Sequence, residues 1–114
     1  MQGNVSAYTG LGLCYKNGIG VERDIQKTVE LFEEAAEQKH AYGQYNLGWC
    51  YEEGIGVEQD EQKAIKLYEK AAEQGYIKAQ NKVYFFTYND KSKLKRKIQE
   101  LAEIYPAKKK NKLG

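Results

Sequence analysis

The stretch "LGLCYKNGIGVERDIQK" (residues 11–27) returns as "LGWCYEEGIGVEQDEQK" (residues 47–63), and this repetition decides the fold. When the chain is displaced by 36 residues along itself, 19 of the 36 pairs from Leu11 to Asn46 are identical. Self-similarity at a fixed period of this length indicates a repeat architecture, in which each unit is one supersecondary element.

Each unit has the pattern of two helices joined by a glycine turn. In the second unit, small and apolar residues recur at helical spacing over about residues 42–52. Gly54 and Gly56 then interrupt the pattern, because glycine adopts positive φ readily. Asp60 stands where a helix N-cap belongs, and an amphipathic helix follows as far as Gly75, which we expect to be its C-cap.

A helix pair of this size cannot bury its apolar face alone, so neighbouring pairs must stack. We therefore predict an all-α fold, an α-solenoid (right-handed superhelix) of antiparallel helix pairs. The repeats occupy about residues 5–40 and 41–76, and a C-terminal capping helix pair occupies about residues 77–105, where the pattern decays. The repeat domain thus covers residues 1–106, and residues 107–114 form a basic tail that we expect to be disordered.

The segment "YNLGWCYEEGIGVEQDEQKAIKLYEKAAEQGYIKAQ" (residues 45–80) resembles a Sel-1-like repeat, a relative of the tetratricopeptide repeat with a longer loop between its helices. The Leu-Gly, Gly-x-Gly-Val, Lys-Ala and Ala-Ala-x-x-Gly positions of that family all match. Gly43 replaces the first alanine of the pattern, and the first unit departs from it at Thr28 and at Lys39. The resemblance implies a non-catalytic adaptor or scaffold, since members of this family assemble signalling and membrane-linked protein complexes.

The glycine pairs at residues 18–20 and 54–56 raise a different possibility, because glycine-rich turns can cradle phosphate. A dinucleotide site needs a third glycine after a strand, and a Walker loop needs Gly-Lys-Ser/Thr. Both loops lack these features, follow predicted helices and have acidic neighbours. We interpret them as structural turns and expect no nucleotide cofactor.

The remaining reactive side chains do not form a recognisable catalytic or metal site. Cys14 and Cys50 hold equivalent positions in successive units, whose helices pack ~8–10 Å apart, beyond the reach of a disulfide. His40 is the only histidine, and we expect it to be a solvated turn residue. We therefore predict no enzymatic activity, no cofactor, no metal and no small-molecule substrate.

The first helix of each unit offers a free face that lines the concave groove of a helix-pair solenoid. Tyr45 and Trp49 are four residues apart on one helix, and such aromatic side chains commonly anchor interfaces. Leu13, Trp49 and Phe85 recur at the repeat spacing; alternatively, these three pack between neighbouring helices. We predict a protein partner, a peptide or helix, bound by the following groove residues. These are Leu13, Gln44, Tyr45, Trp49, Glu52, Gln80 and Phe85.

The C-terminal third carries the opposite charge from the rest of the chain. Residues 1–75 have 7 Lys/Arg against 13 Asp/Glu, whereas residues 76–114 have 11 against 3. This basic patch could bind nucleic acid or an anionic membrane, or could be a solvated cap and tail, and both interpretations stay open. Its members are Lys91, Lys93, Lys95, Arg96, Lys97, Lys108, Lys109 and Lys110.

The sequence also bears on location. No apolar run approaches the ~18 residues that span a bilayer, and residues 1–20 lack a basic leader with an apolar block. We expect a cytoplasmic protein, with a nuclear location as the alternative. The chain can also be the C-terminal fragment of a longer repeat protein that carries an effector domain, in which case the inference from residues 1–20 lapses.

Overall fold

The structure, a computed structural model, describes residues 5–113, and it describes the side chains of residues 5–104. These residues form six helices and no strand, which confirms the all-α solenoid prediction. The helices are α1 (Val5–Asn17), α2 (Ile25–Glu37), α3 (Ala41–Glu53), α4 (Glu61–Glu73), α5 (Ile77–Tyr88) and α6 (Lys91–Leu113). One compact unit of the chain ends at Val83, and a second unit begins at Tyr84.

The second helix of each repeat begins at an aspartate N-cap. The carboxylates of Asp24 and Asp60 each accept a hydrogen bond of 3.1 Å from a backbone N–H three residues later. Such a cap satisfies one of the N–H groups that have no partner in the first helical turn. α2 and α4 therefore start at equivalent positions of the two repeats.

The glycine turns are closed by the backbone of the preceding helix. In the second repeat, Gly54 and Gly56 have φ values of +70° and +71°. The Ile55 N–H donates to the carbonyl of Cys50 at 2.9 Å, and the Asp60 N–H donates to the carbonyl of Tyr51 at 2.9 Å. Because these N–H groups bond within the protein, they are not directed at a phosphate. This agrees with the interpretation of the glycine pair as a structural turn.

Within each repeat, a glycine of the first helix receives an aromatic ring of the second. An alanine Cβ at Gly12 would lie 2.6 Å from the Phe32 ring, and one at Gly48 would lie 2.9 Å from the Tyr68 ring. Phe32 and Tyr68 are the largest fully buried side chains of the described residues. These equivalent contacts hold α1 against α2 and α3 against α4.

The two repeats pack against each other through α2 and α3. Val29 and Phe32 of α2 form a core with Leu47 and Cys50 of α3. At Gly43, an alanine Cβ would lie 2.6 Å from the Cβ of Ala35. Glycine therefore replaces the family's alanine at a position where an alanine side chain would overlap Ala35 of α2.

The junction between the repeats differs from the solvated turn that was predicted. Lys39 has a φ of +62°, where the equivalent Gly75 has +86°. His40 is half-buried and is the N-cap of α3: its Nδ1 accepts from the Gly43 N–H at 3.2 Å and lies 3.2 Å from the Thr9 hydroxyl. The prediction that His40 is a solvated turn residue was wrong, because an imidazole is a rare capping group.

The second unit contains the end of α5 and all of α6. Asp90 precedes α6 and accepts from the Ser92 hydroxyl at 2.7 Å and the Ser92 N–H at 2.9 Å, and these bonds lower the pKa of its carboxyl. α6 continues to Leu113, past the predicted helix end near Tyr105, through a tail that was expected to be disordered. Alanine and lysine, which dominate the segment after Pro106, have high helix propensity.

Among the described helices, none combines the length and the apolar character needed to pass through a lipid bilayer.

Candidate interaction surfaces

Trp49, the central residue of the predicted groove, lies at the border between core and surface. It is half-buried and packs, together with Leu13, against the α2–α3 core. The Lys16 ammonium lies 4.8 Å from the centroid of the indole ring, within cation–π distance. The sequence left open whether Leu13 and Trp49 face a groove or pack between helices; both pack against the core and keep part of their surface exposed.

Tyr45 belongs to an aromatic cluster inside the first unit. Its ring centroid lies 5.5 Å from that of Tyr68 and 5.2 Å from that of Tyr76. Tyr42 contacts Tyr76 at 5.9 Å and has 37% of its surface exposed. Burial, and secondarily the neighbouring tyrosines, raises the pKa of Tyr76. The cluster joins α3, α4 and the residue that precedes α5, so Tyr45 is engaged within the fold.

The two glutamines among the predicted groove residues bond within the protein. Gln44 has only 4% of its surface exposed, and its carbonyl accepts from the Gln74 amide at 2.8 Å. Gln80 is exposed, and its amide donates to the carbonyl of Ala72 at 3.2 Å. Gln44 lines an open cleft of about 260 Å³ that also touches Leu47. Because Gln44 is buried, it is not positioned as a free polar contact for a partner.

The Glu52 carboxylate accepts hydrogen bonds from two other side chains of the first unit. Its carboxylate lies 2.9 Å from the Lys82 ammonium and accepts from the Tyr68 hydroxyl at 2.5 Å. Burial, and secondarily the bond to this carboxylate, raises the pKa of Tyr68 well above its usual range. The side chains of Lys82 and Glu52 are 29% and 18% exposed. The charge of Glu52 is thus already paired with that of a residue 30 positions away.

Phe85, the last predicted groove residue, lies in the second unit. It is 51% exposed, and its ring packs edge-to-face on Phe86 at 5.5 Å between centroids. The neighbouring Tyr84 is 66% exposed and contacts Tyr88 at 4.4 Å. This end of α5 therefore presents aromatic surface that the second unit does not cover.

A surface that the sequence analysis did not identify lies on the first repeat. Leu11 and Ile19 are 43% and 62% exposed, and an alanine Cβ at Gly20 would meet no atom within 4 Å. Of the repeat equivalents, Leu47 is 7% exposed, and the half-buried Ile55 packs against the α2–α3 core. We call the surface formed by Leu11, Ile19 and Gly20 the N-terminal face.

The covered counterpart of the N-terminal face shows what fits there. At Gly56, an alanine Cβ would lie 2.6 Å from a Val29 methyl and 2.8 Å from an Ile25 methyl. The Gln26 amide also donates to the Gly56 carbonyl at 3.4 Å. The sequence could have pointed to the N-terminal face, because the repeat alignment pairs Ile19 with Ile55.

The basic patch lies on α6, in the second unit. Lys91, Lys95 and Arg96 are exposed, and the Lys97 ammonium lies 3.9 Å from the Glu100 carboxylate. Lys108, Lys109 and Lys110 fall in the part of α6 whose side chains are not described. Beside these cations, Ile98, Leu101 and Ile104 are 56%, 52% and 60% exposed.

The thiols and the acidic side chains are the remaining reactive groups of the described residues. Cys14 and Cys50 are free thiols, and burial raises the pKa of Cys50 to about 11 from 9.0, so this thiol stays protonated at neutral pH. No three His, Cys, Asp or Glu side chains of the described part cluster as a metal site requires. Another open cleft, of about 440 Å³, is lined by the Asp60 cap and by Lys63, whose ammonium lies 5.2 Å from the Tyr51 ring.

Three solved structures resemble the chain. The Sel1 repeat protein of Oxalobacter formigenes is 38% identical and has a TM-score of 0.73; the match covers 75% of this chain and 35% of that one. The protective antigen c5321 of uropathogenic Escherichia coli, which displays an SLR fold, is 34% identical and has a TM-score of 0.73. That match covers 77% of this chain and 19% of the antigen. Helicobacter pylori cysteine rich protein B is 30% identical and has a TM-score of 0.64. That match covers 68% of this chain and 58% of the Helicobacter protein. The chain thus spans about a third of the length of the Oxalobacter protein and about a fifth of the length of c5321. Comparison with curated proteins gave no match.

The Sel1 repeat family matches the chain twice, over residues 5–40 and 41–76. Proteins of this family generally mediate protein–protein interactions and are generally of a non-catalytic, scaffold type. The resemblance stated from the sequence is confirmed by the family match and by the solved structures. The chain belongs to the Sel1 repeat family.

Proposed function

We propose that the protein is a non-catalytic interaction module whose N-terminal face binds an amphipathic helix of a protein partner. One observation carries the proposal: two copies of the same surface occur in one chain, and the described residues cover only one of them. Leu47 and Ile55 pack beneath α2, whereas their equivalents Leu11 and Ile19 are exposed. Exposed apolar surface that is packed in its repeat equivalent is typical of an interaction site.

The covered copy defines the chemistry of the partner helix. α2 places Ile25 and Val29, four residues apart, on Gly56. It also places the Gln26 amide on the Gly56 carbonyl. The partner is therefore a Sel1-type helix with β-branched residues at i and i+4 and an amide donor at i+1, and it docks on Gly20.

The exposed areas indicate how strongly such a helix would be held. Fully burying a leucine or isoleucine side chain stabilises by about 1.5–3 kcal/mol. Since Leu11 and Ile19 are 43% and 62% exposed, covering both contributes about 2 kcal/mol. That energy corresponds to a change of about thirtyfold in Kd.

A synthetic helix tests the proposal. A fluorescently labelled, helix-stapled peptide of residues 24–39, which includes α2, is titrated with the full chain, and its anisotropy is measured. We expect saturable binding that Leu11→Ser with Ile19→Ser weakens by about thirtyfold. Ile77→Ser is the matched control, because Ile77 is 68% exposed outside this face. An absence of binding, or an equal loss with Ile77→Ser, would contradict the proposal.

The α3 surface around Trp49 is a second candidate for the same function. The specific observation is that the indole ring keeps part of its surface exposed although it packs on the core. Because Gln44 and Glu52 bond internally, recognition here would rest on apolar contact. Trp49→Ala separates the two surfaces in the same titration. Unchanged peptide affinity supports the N-terminal face, whereas lost affinity with native far-UV circular dichroism moves the site to Trp49.

A further inference from the structure

α6 presents an apolar stripe that the described residues of the second unit do not cover. Leu94, Ile98 and Leu101 follow one another at helical spacing, and Ile104 continues the stripe one turn further. Ile98, Leu101 and Ile104 are each more than half exposed, at 56%, 52% and 60%. Three large aliphatic side chains in a row on one helix form a continuous patch, and such patches mark interaction sites.

Lysines border this stripe on both sides. At 3.6 residues per turn, Lys91 and Lys95 follow one edge of the stripe, and Lys93 and Lys97 follow the other. Glu103 falls on the opposite side of the helix, whereas Glu100 lies on the second edge, 3.9 Å from the Lys97 ammonium. The cations therefore stand at the border between the apolar and the polar face. Long lysine side chains at such a border can reach a charged surface while their methylene groups cover apolar area.

We propose that α6 lies on the surface of an anionic membrane, with its apolar stripe in the boundary between headgroups and acyl chains. The bordering lysines, Lys91, Lys95, Lys93 and Lys97, then contact the lipid phosphates. An amphipathic helix with a basic polar face binds in the plane of the interface in this way. The geometry agrees with the finding that the described helices are unsuited to crossing a bilayer.

The arrangement favours a lipid surface over nucleic acid. Phosphate binding by nucleic-acid proteins uses cations and donors, and it gives no role to exposed aliphatic side chains. Ile98, Leu101 and Ile104 would remain in water in such a complex. On a membrane the same residues leave water, and the lysines beside them neutralise the headgroups, so one orientation of the helix satisfies both sets.

The test is co-sedimentation of the full chain with vesicles of phosphatidylcholine alone and of an equimolar phosphatidylcholine–phosphatidylserine mixture. We expect binding only to the mixture, with affinity falling as salt is added. Ile98→Ser with Leu101→Ser is expected to weaken binding by at least about tenfold. The same exchange at Ile77, exposed on α5, controls for loss of an exposed isoleucine elsewhere.

A charge-matched pair tests the orientation of the helix. Lys97→Gln and Arg96→Gln each remove one positive charge, but only Lys97 borders the stripe. Weaker binding of Lys97→Gln than of Arg96→Gln supports the proposal, and equal effects overturn it. So does an absence of vesicle binding at low salt, or binding that survives loss of the stripe. Binding of single-stranded RNA that is unaffected by Ile98→Ser with Leu101→Ser would assign the surface to nucleic acid instead.

Discussion

Gly20 and Gly56 offer a direct measurement of how the repeats hold together. Both have positive φ, +73° and +71°, so alanine is strained at either position. The surroundings differ: an alanine Cβ meets no atom within 4 Å at Gly20, but lies 2.6 Å from Val29 and 2.8 Å from Ile25 at Gly56. The pair Gly20→Ala and Gly56→Ala therefore separates backbone strain from packing.

The expected magnitudes follow from these two contributions. The left-handed conformation costs a non-glycine residue about 1–2 kcal/mol. Part of that cost is offset, since alanine also restricts the unfolded chain. We expect Gly20→Ala to lower the free energy of unfolding by about 1 kcal/mol. Gly56→Ala adds the overpacking of Val29 and Ile25, about 1–3 kcal/mol.

Urea denaturation followed by circular dichroism at the helical band measures both variants. For a domain of this size each kcal/mol lowers Tm by about 4–8 °C, so thermal melts provide a second readout. The urea dependence of the free energy should be unchanged, because both variants expose the same surface on unfolding. Equal destabilisation of Gly20→Ala and Gly56→Ala would refute the docking of the second glycine turn on α2.

Two further predictions concern the buried polar and thiol groups. Glu52→Gln removes the charge that pairs with Lys82 at 2.9 Å and leaves that ammonium half-buried, so we expect a loss of about 1–2 kcal/mol in urea denaturation. Glu53 is exposed, so Glu53→Gln should change stability by less than about 0.5 kcal/mol. Equal urea midpoints for Glu52→Gln and Glu53→Gln would contradict a stabilising role for the ion pair. Burial raises the pKa of Cys50 to about 11 from 9.0, so the folded state holds this proton more tightly than the unfolded state. The free energy of unfolding should therefore fall as pH rises from about 9 to 11, by up to about 3 kcal/mol, and less steeply in Cys50→Ala. Cys14→Ala controls for loss of a thiol, and an unaltered pH slope in Cys50→Ala would exclude this cause.

The helices and their caps could be predicted from the sequence because their causes are local. Asp24 and Asp60 cap their helices through backbone groups three residues away. The glycine turn closes on carbonyls of the preceding helix, such as that of Cys50. The first helix of the second repeat was placed at about residues 42–52 and is observed at Ala41–Glu53. Short-range interactions of this kind repeat whenever the sequence does.

The environments of the predicted groove residues were harder to predict because they depend on distant partners. Gln44 is buried against Gln74, and Glu52 pairs with Lys82, each across 30 residues. Nothing in the local pattern distinguishes a polar residue that faces solvent from one that bonds to the next helix. α6 extends to Leu113, beyond the predicted helix end near Tyr105. The residues after Pro106 have high helix propensity, which the prediction of a disordered tail did not take into account.

The repeat by itself determined that two helix pairs form and stack, because a 36-residue unit cannot bury its apolar face alone. Only the tertiary structure decided which copy of each equivalent residue is covered. Leu11 and Leu47 are the same amino acid at the same position of the repeat, yet 43% of one and 7% of the other are exposed. The physical reason is that α2 lies over the second repeat, whereas no described element lies over the equivalent residues of the first.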